Sequence, residues 1–274
     1  MFSLTRRGLA AASGLTVAIA SLAACSPSSS SHGLAVVATT TQICDYVTQI
    51  AARSTDISLD KTDASGQSAH VGAAPEGAAL TMSLTCLLAP NASAHEHEMT
   101  PAQTKALSEA DVMAVSGVDL EHFLDDAVAS SGFKGRMVVT SGVLTAADID
   151  NPGTPDPEGA YTIDRGGERV NVAPWPFPPE EAGEEPEFRF DPHVWTSPKG
   201  AHVQVANLGA GLAAAVPDAA SSINAATASY LEDIDALDQW TAEAIKTVPE
   251  GQRVLFTSHD AFGYFSKDYG IRFI

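Results

Sequence analysis

Positive charge is scarce in this chain. Its 15 lysines and arginines face 34 aspartates and glutamates, a formal net charge of −19. Such a surface repels nucleic acid and attracts cations, which excludes nucleic-acid binding as a role. Solubility alone would account for the same charge. The apolar run from Leu9 to Ala24 falls short of the roughly 20 residues of a helical membrane crossing. Cysteines number only three, Cys25, Cys44 and Cys86. Two catalytic signatures are missing as well: there is no His-Glu-x-x-His helix and no Gly-x-Ser-x-Gly elbow.

The first residues carry Arg6 and Arg7, then the short apolar run, then Leu22-Ala23-Ala24-Cys25. Small residues before a cysteine, where a lipoprotein signal peptidase cuts, mark 1–24 as an export signal and Cys25 as the site of lipid attachment. The paired arginines suit general secretion or twin-arginine export. Residues 25–33, rich in serine, form a flexible tether. Without 1–24, 34 acidic residues face 13 basic ones, a net charge of −21. Cys44 and Cys86 then remain in a compartment that permits disulfides. An even pair beside predicted strand ends points to one bridge; two small buried thiols are the alternative.

Globular sequence starts at Leu34. Leu34 to Ala38 reads as a buried strand, Thr39 to Thr41 as capping residues and Ile43 to Ala52 as a helix, the alternation of an α/β fold. Residues 53–78, rich in Ser, Gly, Asp and Ala, read as a surface loop or insertion. Next come strands over Leu80–Leu88, Val112–Ser116 and Met137–Thr140, with helices over Thr100–Glu109 and Leu120–Ala129. Strands alternating with helices predict a mostly parallel sheet covered on both faces. Residues 150–190, dense in Pro, Gly and Glu, read as irregular surface structure.

A helix from Pro198 to Ala215 follows. A longer one from Pro217 carries Ile223, Ala226, Tyr230, Ile234, Leu237, Thr241 and Ile245 at helical spacing, and would run about 45 Å. The α/β pattern restarts with a strand over Arg253–Thr257 and a helix over Asp260–Tyr269. These elements divide the chain into a lobe at 34–216, a linker helix at 217–248 and the start of a second α/β lobe at 249–274. Ile274 falls partway through a strand, so the second lobe is incomplete and a fragment is expected.

Eight histidines are present. His32 lies in the tether, His70 in the insert and His202 in a helix without a partner pattern; packing explains His122 on its amphipathic helix. The other four stand where chemistry concentrates. His95 and His97 follow a strand in Ala94-His95-Glu96-His97-Glu98-Met99-Thr100-Pro101. His193 sits in Asp191-Pro192-His193-Val194-Trp195, where proline stiffens the approach and Trp195 can anchor the loop in the core. His259 lies in the loop after Arg253–Thr257. Connections leaving strand ends line the crevice of an open α/β sheet. Three segments can therefore deliver imidazoles to one cleft, apt ligands for a borderline cation such as Zn²⁺.

The first of these segments, with Ala110-Asp111 after it, resembles the first-ligand region of the zinc/manganese substrate-binding lipoproteins of ABC transporters. Asp191-Pro192-His193-Val194-Trp195 resembles their second-ligand motif. Thr257-Ser258-His259-Asp260-Ala261-Phe262-Gly263-Tyr264-Phe265, with Tyr269-Gly270, resembles their third, and Gly117-Val118-Asp119-Leu120-Glu121 also matches. The resemblance implies two α/β lobes joined by a long, rigid helix, with metal held between them by His95, His193 and His259 and passed to an ABC permease. It also implies a lipid-anchored extracytoplasmic monomer. The pattern departs at His97, where the family carries an aromatic, so that His97 is either packing or an accessory metal ligand. It departs again at the 53–78 insert, and in the fourth, carboxylate ligand, which would lie beyond Ile274. Histidine rather than glutamate at 259 favours Zn²⁺ over Mn²⁺. Two other classes compete with this reading: an exported zinc-dependent hydrolase, whose base could only be Asp260 or Glu96, and a metal-containing adhesin lipoprotein. Against the first, Asp260 is better explained as opening the following helix.

Overall fold

A computed structural model describes residues 33–274 apart from 154, 157, 158, 178, 180–182, 184, 185 and 187. Cys25 and the proposed signal and tether therefore lie outside the described residues, except for Gly33. Seven strands form the main sheet: β1 (Leu34–Ala38), β2 (Ile57–Thr62), β3 (Ser68–Gly72), β4 (Leu80–Cys86), β5 (Val112–Val115), β6 (Arg136–Val139) and β7 (Thr162–Asp164). They lie in the order β3-β2-β4-β1-β5-β6-β7, and every neighbouring pair is parallel except β2 with β3.

Alternation along the strands explains why both faces are covered. Val36, Ala38, Val112, Ala114 and Val138 point into one core with α1 (Thr41–Ala52), α5 (Pro198–Ala215) and α6 (Ala220–Lys246). Val37, Met113, Val115, Met137 and Val139 point into the other, with Leu107 of α2 (Pro101–Ser108) and Ala127 of α3 (Leu124–Ser131). A parallel sheet buried on both sides carries such near-continuous apolar strands. Gly209 of α5 faces Thr227, leaving no room for a Cβ, so α5 and α6 pack closely. A cystine joins Cys44 of α1 to Cys86 at the end of β4.

Several expectations need correction. Residues 53–78 are not a surface loop. They supply β2 and β3, and β2 pairs in parallel with β4 while burying Ile57 and Leu59 completely. Their polar composition hid them because β3 is an exposed edge strand and only half of β2 faces the core. Residues 150–190 are not purely irregular surface: β7 extends the sheet, and Val170 and Phe188 are buried.

The helix expected from Leu120 begins at Leu124, because Gly117, Val118 and Asp119 all have positive φ. The buried carboxylate of Glu121 holds that turn, accepting bonds from the backbone N–H groups of Ser116 (2.6 Å) and Gly117 (3.1 Å) and the Thr39 hydroxyl (2.6 Å). Burial raises its pKa. Similarly, the helix placed at Asp260–Tyr269 is α7 (Gly263–Tyr269), and Asp260 does not cap it.

The long helix is real, with 27 residues, or about 40 Å at 1.5 Å per residue. Ile223, Ala226 and Ile234 are buried on it, whereas Leu237 is 49% exposed. After α6, β8 (Val254–Leu255) and β9 (Arg272–Phe273) form a separate parallel pair, shorter than the strand expected at 253–257. No helix among the described residues is long and apolar enough to cross a membrane.

Leu59→Ala should destabilise the chain by about 2–5 kcal/mol, as for other truncations of buried leucines. A urea unfolding midpoint equal to that of the wild type is incompatible with a buried β2.

Candidate metal centre

β1 pairs with β4 on one side and β5 on the other, so the connections leaving these strands emerge together at one edge of the sheet. The segment after β4 carries His95, and both of its ends are tied. Leu87 N–H donates to Ala38 C=O (3.0 Å). Beyond the loop, Thr100 and Gln103 form a reciprocal capping box with Pro101 in the first turn of α2. The Gln103 amide also donates back to Leu87 C=O (2.8 Å), which closes the loop onto the strand it left.

His193 precedes a 3₁₀ turn at Val194–Thr196 and then α5, whose N-cap is Ser197. Gly200 admits the Val194 carbonyl against the helix where a Cβ would collide with it. Buried Val194 anchors this segment; Trp195, expected to do so, is only half-buried and meets the His193 ring edge-on, with centroids 5.4 Å apart. Asp191 fixes the His193 ring. Its Oδ1 accepts the His193 backbone N–H (3.0 Å) and pairs with Nδ1 (2.9 Å), both residues being 1% exposed. An ionised carboxylate only accepts, so the Nδ1 proton is donated to Asp191 and Nε2 keeps its lone pair.

His259 follows β8. Its carbonyl accepts from Thr257 Oγ1 (2.8 Å) and Ala261 N–H (2.9 Å), which folds the segment into a tight turn ahead of α7.

The structure brings His95, His193 and His259 together: one ring nitrogen from each lies within 4.8 Å of the others. They border a cleft of about 400 Å³ that Thr41, Leu88 and Trp195 also line. Among the described residues, His95 Nδ1 and His193 Nε2 are buried with no hydrogen-bond partner. Burial, followed by the neighbouring imidazoles of His193, His122 and His259, lowers the pKa of His95 from 6.5 to about 4, so the ring is neutral at neutral pH.

His97 is not part of this group. Its ring meets Phe123 edge-on at 5.0 Å, and burial lowers its pKa. His122 is not packed on a helix face either; it is exposed ahead of α3, with its ring 6.1 Å from that of His95. Phe188, 4.9 Å from the His95 ring, and Asp191 support the site, and the sequence reading assigned a role to neither. For Asp191 the signal was its place two residues before His193. Phe188 had none, lying in a Pro- and Glu-rich stretch without periodicity.

Fold and site define a mixed α/β protein with a three-imidazole cluster at the edge of a parallel sheet. Residues 77–274 match the family described as ZnuA, zinc-uptake complex component A, periplasmic, and the chain belongs to that family. It is 29% identical over 225 residues to the manganese-binding lipoprotein MntA of Bacillus subtilis, covering 82% of this chain and 62% of that one. It is also 29% identical over 185 residues to the iron-binding protein YfeA of Yersinia pestis, covering 67% and 48%. Its fold is similar to that of Zn(II)-bound AdcA from Streptococcus pneumoniae, with a TM-score of 0.58, 19% identity, and coverage of 88% of this chain and 39% of that one. The chain thus spans about half to three-fifths of the length of these curated relatives.

Because folding depresses the pKa of His95, the unfolded chain holds more protons between about pH 6.5 and about 4. Stability of the metal-free protein should therefore fall as pH falls through that window. Thermal unfolding across the range checks this, and His95→Gln should flatten the decline.

Proposed function

We propose that this protein captures a divalent transition metal on the extracytoplasmic side of the membrane and delivers it to an ABC permease, with His95, His193 and His259 as ligands. The observation that carries the reading is the cluster of three imidazoles, two of which, His95 and His193, hold buried, unpartnered nitrogens. An unpaired buried polar atom costs about 1–3 kcal/mol, and a cation that takes up the lone pairs offsets that cost. A ligand imidazole must be deprotonated, and the burial of His95 keeps it so.

Nitrogen donors favour Zn²⁺ over Mn²⁺ as cargo, and the Irving–Williams order points the same way. The names of the relatives span manganese, iron and zinc, so the lean rests on the donor set. Hydrolysis is the weaker reading: among the described residues neither Asp260 nor Glu96 joins the three-imidazole cluster, and Asp191, the carboxylate held against it, is committed to His193. An adhesin role would leave growth in metal-poor medium independent of the site.

The proposed organisation is a lipid anchor at Cys25, a tether at 25–33, a lobe at 34–216, a linker helix at 217–248 and a second lobe beginning at 249. The protein would act as a monomer, with metal between the lobes.

Titration of the metal-stripped protein with Zn²⁺ and Mn²⁺ should reveal one tight site that is lost in the His95→Ala/His193→Ala/His259→Ala variant. A site that survives the three substitutions removes these residues from the mechanism. Cys25→Ala should move the protein from the membrane to the soluble fraction on cell fractionation; retention on the membrane assigns anchoring to another segment.

A further inference from the structure

Gly263 opens α7, and its missing side chain lets that helix lie against the carboxylate of Asp191. A Cβ built on Gly263 would overlap Asp191 Oδ2, and the only other atom near it is Asp191 Cγ at 3.7 Å. The obstacle is this carboxylate alone. Backbone conformation is no bar to alanine, since Gly263 is not among the residues with positive φ. Alanine also favours helix over glycine.

The next residue in α7 holds the same segment. The Tyr264 hydroxyl donates to Asp191 C=O (2.8 Å) and accepts from the Ala173 backbone N–H (3.1 Å). Two consecutive residues of α7 therefore grip Asp191 from its carboxylate and its backbone. Asp191 in turn holds the His193 ring through Nδ1, and α7 follows directly on the turn that carries His259.

We propose that Gly263 is a positioning residue of the metal site: its bare Cα lets α7 clamp Asp191, which orients His193 and sets its separation from His259. This rests on the reading of the three imidazoles as metal ligands. Partners that orient a ligand from behind typically contribute 10–100-fold to metal affinity.

The test is Gly263→Ala in the full chain, alone and combined with Asp191→Ala. Zn²⁺ affinity is measured by competition with a chelating dye. Stability of the metal-free protein and solvent exchange of the His193 Nδ1 proton are measured by thermal unfolding and NMR. Gly263→Ala should bind Zn²⁺ about 10–100-fold more weakly and exchange the Nδ1 proton faster, with an unfolding midpoint no lower than that of the wild type. On the Asp191→Ala background, where the obstructing carboxylate is gone, the same substitution should cost no further affinity.

Wild-type affinity with a protected proton overturns the proposal. So does a loss that adds in full to that of Asp191→Ala, or a lowered unfolding midpoint common to both backgrounds, which marks a general packing defect. If the wild-type protein binds no Zn²⁺, the metal reading fails, and proton exchange in the metal-free protein still decides whether Gly263 positions His193.

Discussion

β1 is paired on one side with β4 and on the other with β5, all three parallel, and the remainder of the site depends on that arrangement. Parallel strands release their following connections at the same edge, so the capping threonines after β1, the His95 loop after β4 and the Glu121-bound turn after β5 converge there. The His193 segment and α7 then close over this edge from elements later in the chain. An open α/β sheet offers a crevice where connections diverge from a central strand. Here the crevice is furnished with imidazoles.

Rigidity in this site comes from backbone tied by side chains rather than from regular structure. Gln103 ties the end of β4 to the first turn of α2, Glu121 satisfies two backbone N–H groups in a turn with three consecutive positive φ values, and Asp191 fixes both the backbone and the ring of His193. Each is a buried polar group whose cost of desolvation is met by directed hydrogen bonds. Against this background His95 Nδ1 and His193 Nε2 are buried without partners and face one cluster, whereas His97 Nε2, also unpartnered, lies outside it.

The second parallel pair, β8 with β9, is small, and Val254, Phe256 and Ile274 are exposed beside it, as are Leu237 and Trp240 on α6. His259 shares this openness: it is the most exposed of the three imidazoles, whereas His193 is buried and His95 half-buried. The cluster thus joins a firmly held ligand candidate to one on a lightly packed segment, and α7 is the element connecting them.

The sequence by itself determined the α/β class, the long helix and the three separated imidazole segments, because strand periodicity, proline and capping residues and short motifs are local signals. It could not reveal β2, whose polar outer face resembles a loop until parallel pairing with β4 buries Ile57 and Leu59. Nor could it move the helix start from Leu120 to Leu124, since the positive-φ turn persists only because Glu121 is bonded within the fold. Tertiary structure alone decided that His95, His193 and His259 meet while His97 does not, that Phe188 walls the cluster, and that Gly263 touches Asp191. These depend on distances between segments up to 164 residues apart in sequence, from His95 to His259, which no local pattern encodes.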